Sequence, residues 1–241
     1  MTNSILVTGS SRGIGKAIAL RLAADGFTVV VHCRERRTDA DSVASQIKDS
    51  GGDARVLQFD IGDTEAVNAV IEQDIESHGA YYGIVCNAGM TADAAFPALT
   101  SDDWHGVINT NLNSFYNVVK PAIMPMIRRR KAGRIVAVTS VSGIMGNRGQ
   151  VNYSAAKSGL HGAVRALAME LAGRRITVNA VAPGLIETDL LDPDIIERAM
   201  PMIPMKRIGT ADEVAGSVSF LCSSDAAYIT RQILSVNGGM C

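Results

Sequence analysis

Short apolar runs alternate with segments of helical period from the first residues of the chain onward. Ile5-Leu6-Val7, within residues 4–8, reads as a buried strand. Ile14, Ile18 and Leu22 follow at four-residue spacing, which places them on one face of a helix. Gly26 closes that helix, and residues 27–33, centred on Val29-Val30-Val31, predict the second strand. A polar helix is expected over about 40–50, then a Gly51-Gly52 break and a strand over 55–59. A helix over 64–77, with Val67, Ile71 and Ile75 on one face, leads to a strand over 83–86. Further strands are expected at 134–139, 176–182 and 233–236, with helices between them. Runs that are apolar throughout, rather than at alternate positions, are buried on both faces, as parallel strands under crossover helices must be. The pattern predicts an α/β fold, a doubly wound parallel sheet with helices on both faces. No linker, low-complexity tract or fixed-period repeat divides it, so residues 1–241 are read as a single domain.

Composition narrows the function classes. A chain of 241 residues with 47% hydrophobic residues can bury a full core without disulfide or metal staples. Cys33, Cys86, Cys222 and Cys241 are far apart and form no CxxC pair, and His32, His78, His105 and His161 show no ligand spacing, so no metal site is expected. A net charge of -1 argues against a general polyanion binder. No apolar run approaches the roughly 20 residues that span a bilayer, and Met1-Thr2-Asn3-Ser4 offers no basic start to an export signal. The expectation is a soluble, cytoplasmic protein.

Two segments carry chemistry. Thr8-Gly9-Ser10-Ser11-Arg12-Gly13-Ile14-Gly15 lies between the first predicted strand and the first helix. Glycines there permit a tight turn and close approach of a pyrophosphate, and the free N–H groups and positive end of the helix attract its charge. Tyr153-Ser154-Ala155-Ala156-Lys157 sets a phenol and an ammonium at i and i+4 on a helix that continues through Leu160, Val164, Leu167 and Leu171. A phenol exchanges protons at neutral pH only if its anion is favoured, and a fixed cation beside it does that.

The T-G-x-x-x-G-x-G spacing, with Tyr153 and Lys157, resembles the short-chain dehydrogenase/reductase family, and the resemblance runs the whole chain to Asn237-Gly238-Gly239. It implies a Rossmann sheet and a nicotinamide cofactor held by Gly9, Ser11, Arg12, Gly13, Ile14 and Gly15. Asp60 and Ile61 would lie at the adenine, and Asn87, Ala88 and Gly89 would lay their backbone against the cofactor. Pro183, Gly184, Ile186 and Thr188 would hold the carboxamide. Cys86 stands where the family usually has a first asparagine. Where an acid at the end of the second strand would pair with the ribose of NAD, this chain has Cys33 followed by Arg34. Arg34 with Arg12 would clamp a 2'-phosphate, so NADP (NADPH) is expected. The catalytic set implied is Ser140 on the substrate carbonyl, Tyr153 as proton donor, Lys157 favouring the tyrosinate and bonding the ribose, and Asn111 holding a helix bend and a relay water. Ser142 competes with Ser140 for the first role.

Residues 143–153 and 226–240 look most like family members that reduce 3-oxoacyl thioesters on acyl carrier protein, in fatty acid or polyene/polyketide synthesis. An acetoacetyl-CoA or sugar and polyol dehydrogenase, and a catalytically silent NADP-binding subunit, are the other readings. Arg128, Arg129, Lys131, Arg174 and Arg175 would form a basic patch for the acidic carrier. Met200, Met202, Ile203 and Met205 lie where the family has a mobile lid and would line an acyl channel. Family members commonly form dimers or tetramers through the long tyrosine helix, which here carries Ala163, Ala166 and Ala168.

Overall fold

A computed structural model of the chain describes residues 3–187 and 193–241. Its elements in chain order are β1 (Ser4–Val7), α1 (Gly13–Ala24), β2 (Thr28–Cys33), α2 (Arg37–Asp49), β3 (Asp53–Gln58), α3 (Thr64–His78) and β4 (Gly83–Cys86). After these come α4 (Ser101–Ile108), α5 (Ser114–Arg128), β5 (Gly133–Val138), α6 (Ser142–Met145), α7 (Val151–Leu171) and β6 (Ile176–Pro183). The chain ends with α8 (Pro193–Ala199), α9 (Ala211–Cys222) and β7 (Ile233–Val236). The strands form one seven-stranded sheet in the order β3-β2-β1-β4-β5-β6-β7, parallel at every pairing. The fold class read from the apolar pattern is the observed one. β2, β5 and β6 are buried along their whole length, because each face of the sheet carries its own helical layer.

The two layers have separate cores. On one face Ile18 and Leu22 of α1, Val43 and Ile47 of α2, and Val214 and Val218 of α9 pack over Ile5, Val29 and Val136. On the other, Val67 and Ile71 of α3, Val118 and Met126 of α5, and Leu160 and Val164 of α7 cover Leu6, Ile84 and Ile135. Alternate residues of one strand serve opposite cores, as a strand's period of two requires.

Element ends shift where polar contacts, invisible to an apolar pattern, extend them. α2 starts at Arg37 rather than near 40, its first turn held by an Arg37–Asp41 ion pair of 2.9 Å. β3 starts at Asp53 rather than 55, where Asp53 Oδ2 accepts from Thr28 Oγ1 at 3.1 Å across the pair with β2. Between β4 and β5 the chain makes two helices, α4 and α5, joined by a π turn over Asn109–Asn113.

Away from the carboxyl ends of the strands, a charge cluster ties α3 to the sheet. The Asp74 carboxylate, with a side chain only 3% exposed, accepts from Arg55 Nε and Nη2 at 2.7 Å each and from the Tyr81 hydroxyl at 2.7 Å, with His78 Nδ1 at 3.1 Å. Burial works to raise its pKa, but the hydrogen bonds from Arg55 and Tyr81 and the charges of Arg55 and His78 outweigh it and hold the carboxyl below its ordinary range. A carboxyl depressed in the folded state adds stability above its unfolded pKa of about 3.9, and that stability is lost as pH falls. Asp74→Asn is expected to destabilise by about 3–5 kcal/mol at pH 7, the usual cost of orphaning one side of a buried pair. Urea unfolding at pH 7 and at pH values below about 3.9 checks this: the gap between parent and variant should hold down to the unfolded pKa and narrow only below it.

Candidate active site

Because every strand points the same way, the segments that follow β1 to β6 emerge along one edge of the sheet. Sheet order reverses between β1 and β4, the crevice where ligands of doubly wound sheets sit. The turn over 8–15 rests there against the end of β4. Thr8 Oγ1 accepts from the N–H groups of Asn87 and Ala88 at 2.9 and 3.0 Å, and Asn87 Nδ2 donates to the Thr8 carbonyl at 3.0 Å. The packing leaves no room for a Cβ on Gly15, which would lie 2.2 Å from the Gly9 carbonyl oxygen, or on Gly9, 2.9 Å from Ala88 Cα. Gly9 and Gly13 also adopt positive φ, +64° and +53°. No side chain caps the N-terminus of α1 and its first turn carries no acid, so its N–H groups and positive dipole end face the edge unneutralised. The turn suits a pyrophosphate in space and charge, and Ser11, Arg12, Gly13 and Ile14 belong to this turn and helix start.

His32 is a loop-holding residue that spacing arguments missed. Its Nδ1 accepts from the Gly9 N–H at 3.0 Å, and its Nε2 lies 3.0 Å from the Phe59 carbonyl, so the ring latches the glycine turn to the ends of β2 and β3. Burial, against the raising influence of the Phe59 bond and of Asp60, lowers its pKa to about 4, and the neutral ring supplies the acceptor that Gly9 needs. A histidine in an apolar strand gave no signal beyond ordinary core packing.

Arg34 stands exposed after β2, paired with Glu35 at 3.0 Å and Asp60 at 3.9 Å. Asp60 therefore shares the site with Arg34, while its Oδ1 caps the Gly62 N–H at 2.8 Å. Ile61 turns into the core, 5% exposed. The Arg12 side chain, also exposed, makes no hydrogen bond or ion pair among the described residues.

The chemical end is assembled by α7 packing against the segment after β5. Gly143 makes this contact possible, since a Cβ there would meet the Lys157 backbone carbon at 2.8 Å. Lys157, 4% exposed, donates from Nζ to the Val138 carbonyl at 2.9 Å. Burial, partly opposed by Cys86, lowers its pKa to about 8. Cys86, in place of the family's asparagine, shares a small enclosed cavity with Lys157, Asn111, Thr8 and Ser114, and burial pushes its thiol up to about 12.

The Tyr153 pKa is raised, by burial first and by the Asp93 charge, with the Ser140 hydroxyl pulling it down. Lys157 Nζ sits over the Tyr153 ring, 5.6 Å from its centroid, one helical turn further along α7. Ser140, whose Oγ accepts from the Ser142 N–H at 3.1 Å, is the serine beside Tyr153, while the Ser142 hydroxyl donates to Gln150 Oε1 at 2.9 Å. Asn111 lies in the π turn. Its Nδ2 donates to the carbonyls of Met90 and Val107 at 2.8 and 2.9 Å and its Oδ1 accepts from the Met90 N–H at 3.2 Å. Gly89 lies so close that a Cβ would stand 2.4 Å from that Oδ1.

Pro183 ends β6, and Gly184 passes Asn237 where a Cβ would lie 2.7 Å from the Asn237 Cβ. Ile186 is buried and bridges to Gly209; Thr188 lies outside the described residues. Ile203 and Met205 pack against the carboxyl-terminal segment, with the Met205 N–H donating to the Gly238 carbonyl at 3.1 Å, and with Leu185 they line a cavity that reaches the loop after β6. The residues of the expected basic patch differ in exposure. Arg129 is half-buried, its guanidinium 5.5 Å from the Tyr82 ring centroid and bonded to the Ala132 carbonyl. Arg128, Lys131, Arg174 and Arg175 are exposed, but at the amino ends of β5 and β6, about 20 Å of strand away from Ser140.

A family model described as Enoyl-(Acyl carrier protein) reductase matches residues 9–241. The chain is 60% identical over 242 residues to the 3-oxoacyl-[acyl-carrier-protein] reductase FabG of Aggregatibacter actinomycetemcomitans, the match covering all of both chains. It is 44% identical over 236 residues to the 3-oxoacyl-[acyl-carrier-protein] reductase of Synechocystis sp., covering 98% of this chain and 95% of the relative. To the reductase FabG of Staphylococcus aureus it is 42% identical over 243 residues, covering 100% and 98%. These matches extend over the parallel sheet, the glycine turn and the Ser140, Tyr153 and Lys157 cluster alike, and the chain belongs to the short-chain dehydrogenase/reductase family.

Proposed function

We propose that the chain reduces the ketone of a 3-oxoacyl thioester on acyl carrier protein to the 3-hydroxyacyl thioester, with NADPH, as a step of fatty acid synthesis. The observation that carries this reading is the meeting of Ser140, Tyr153 and Lys157 beside an anion-receptive glycine turn. The full-length reductase relatives support the substrate. NADPH, when bound, supplies the hydride that reduces the ketone carbon. The 8–15 turn would hold its pyrophosphate, Arg12 and Arg34 its 2'-phosphate, and Lys157 its ribose.

The residues manage the charge and the proton. As the ketone is reduced, negative charge gathers on its oxygen, and donors already aimed there lower the barrier most. Ser140 donates a hydrogen bond to that oxygen, and Tyr153 transfers its proton to it, so the hydroxyl product leaves a tyrosinate. A phenol kept neutral is in the right state to donate. The buried Lys157 cation then stabilises the tyrosinate and passes on a replacement proton, with Asn111 fixing the π turn behind it. Arg34 meets a 2'-phosphate by exchanging its pairs with Glu35 and Asp60 for a dianion.

Carrier docking on Arg128, Lys131, Arg174 and Arg175 has a geometric consequence. Lying at the far end of the strands from their own Tyr153, these side chains would serve the active site of an adjacent copy. The proposal therefore includes a homo-oligomer, dimer or tetramer.

Tyr153→Phe is expected to lower turnover by about 10²–10⁴-fold while NADPH affinity, followed by fluorescence titration, stays unchanged; full activity would remove Tyr153 from the proton-donor role. Turnover of the parent should decline as pH rises through about 8, where Lys157 loses its charge, and a profile flat to pH 9.5 would contradict this. Arg34→Ala should weaken NADPH binding and leave NADH binding unchanged, and equal NADPH affinity in parent and variant counts against the clamp. Lys131→Glu combined with Arg174→Glu should raise KM for the carrier-bound substrate more than for a short thioester, whereas equal losses would rule out docking there.

A further inference from the structure

We propose that Asp93 sets substrate class: it fixes a negative charge at the substrate mouth that rejects free 3-oxo acids and admits their uncharged thioesters. The inference rests on the ketoreductase reading above and concerns which ketones reach the same site.

Asp93 follows β4 in the loop beyond Gly89, exposed to solvent. Its Oδ2 accepts from Gln150 Nε2 at 2.7 Å, and Gln150 is the N-cap residue of α7, three positions before Tyr153. Gln150 is itself fixed, because its Oε1 accepts from Ser142 Oγ at 2.9 Å and from Asn147 Nδ2 at 3.0 Å. The Ser142 N–H donates to Ser140 Oγ at 3.1 Å, so one chain of hydrogen bonds runs from the Asp93 carboxylate to the serine beside Tyr153. The two loops are also joined by backbone, with the Ala94 N–H donating to the Gly149 carbonyl at 2.9 Å and Asn152 Nδ2 donating to the Ala92 carbonyl at 3.0 Å. A carboxylate on an exposed loop usually wanders; this one is anchored at a defined place against the catalytic helix.

That place lies against the amino end of α7: Gln150, which Asp93 holds, stands three residues before Tyr153, and Asn152, bonded to the Ala92 carbonyl, stands one residue before it, in keeping with the Asp93 charge adding to the raised Tyr153 pKa. Neighbouring charges include the buried Lys157 on the same helix as Tyr153, Asp103, whose carbonyl accepts from Asn152 Nδ2 at 3.4 Å, and the exposed Arg148 two residues before Gln150, which makes no ion pair with Asp93 among the described residues. A ketone oxygen placed on Tyr153 and Ser140 puts the C1 carbon of a 3-oxo compound two bonds from the reacting carbon. In a free 3-oxo acid C1 carries a full negative charge; in a thioester it carries none. Like charges a few ångströms apart repel by about 1 kcal/mol even in water, and by more where solvent is partly excluded. The Gln150 tether acts only through geometry, whereas Asp93 acts through its charge, and the two can be separated.

Asp93→Asn keeps an acceptor for Gln150 Nε2 and removes the charge. The test compares kcat/KM of parent and variant for acetoacetyl-N-acetylcysteamine thioester and for acetoacetate at low salt, and where acetoacetate turnover is too slow, its inhibition constant against the thioester. The preference for the thioester is expected to fall roughly five- to tenfold in Asp93→Asn. At about 1 M salt, where the Debye length shrinks to about 3 Å, parent and variant should converge. A preference unchanged by the substitution, or an equal loss on both substrates, overturns the proposal, the second outcome marking a purely structural role. If the parent protein itself fails to reduce the thioester, the ketoreductase reading fails and takes this inference with it; thioester turnover with an unchanged preference removes Asp93 alone.

Discussion

Burying the Lys157 ammonium is the constraint around which the site is arranged. An ion taken out of water is strongly disfavoured unless it is hydrogen-bonded, and Lys157 meets the Val138 carbonyl at the last residue of β5. That contact fixes α7 against the sheet, and α7 carries Tyr153 one turn earlier. Gly143 and Gly89 are bare on the sides facing Lys157 and Asn111, because any side chain would push the helix or the π turn away. What burial takes from Lys157 in proton affinity leaves a cation that titrates near the working pH, a range useful to a group that passes protons.

The same constraint explains why the Tyr153 and Lys157 pair works less simply than its i, i+4 spacing suggests. On a bare helix the two would be read as a phenol and its activating cation. Here the ammonium is drawn beneath the ring toward β5, and burial together with Asp93 outweighs the Ser140 hydroxyl at the phenol. A raised phenol pKa keeps the proton on Tyr153, the form from which a proton can be donated.

The sheet was legible because its strands are apolar throughout: Val29 to Val31 and Ile5 to Val7 could only be interior strands, and the glycine turn between strand and helix announced the crevice. Less legible were the parts held by polar contacts. The start of α2 depends on an Arg37–Asp41 pair, and the π turn at Asn111 depends on a side chain bonded to backbone 21 residues away. His32 and Gln150 escaped notice for the same reason, since their partners, Gly9, Phe59 and Asp93, are distant in the chain. Periodicity reports which face is dry; it carries no record of which distant polar groups meet once the sheet has formed.

Parallel pairing also separates the two kinds of recognition. All the segments near Ser140, Tyr153 and the glycine turn leave the carboxyl ends of the strands, whereas Arg128, Lys131, Arg174 and Arg175 gather at the amino ends. A near-neutral total charge thus conceals a molecule with a cofactor-receptive edge and a basic edge at opposite ends of the sheet. A tethered acidic partner held at the basic edge has the whole length of β5 between it and the nearest tyrosine of the same chain. If the basic edge recognises the carrier, catalysis on carried substrate becomes a property of an assembly, with one copy grasping the partner and its neighbour performing the reduction. A free short thioester escapes that requirement, since it needs only the crevice.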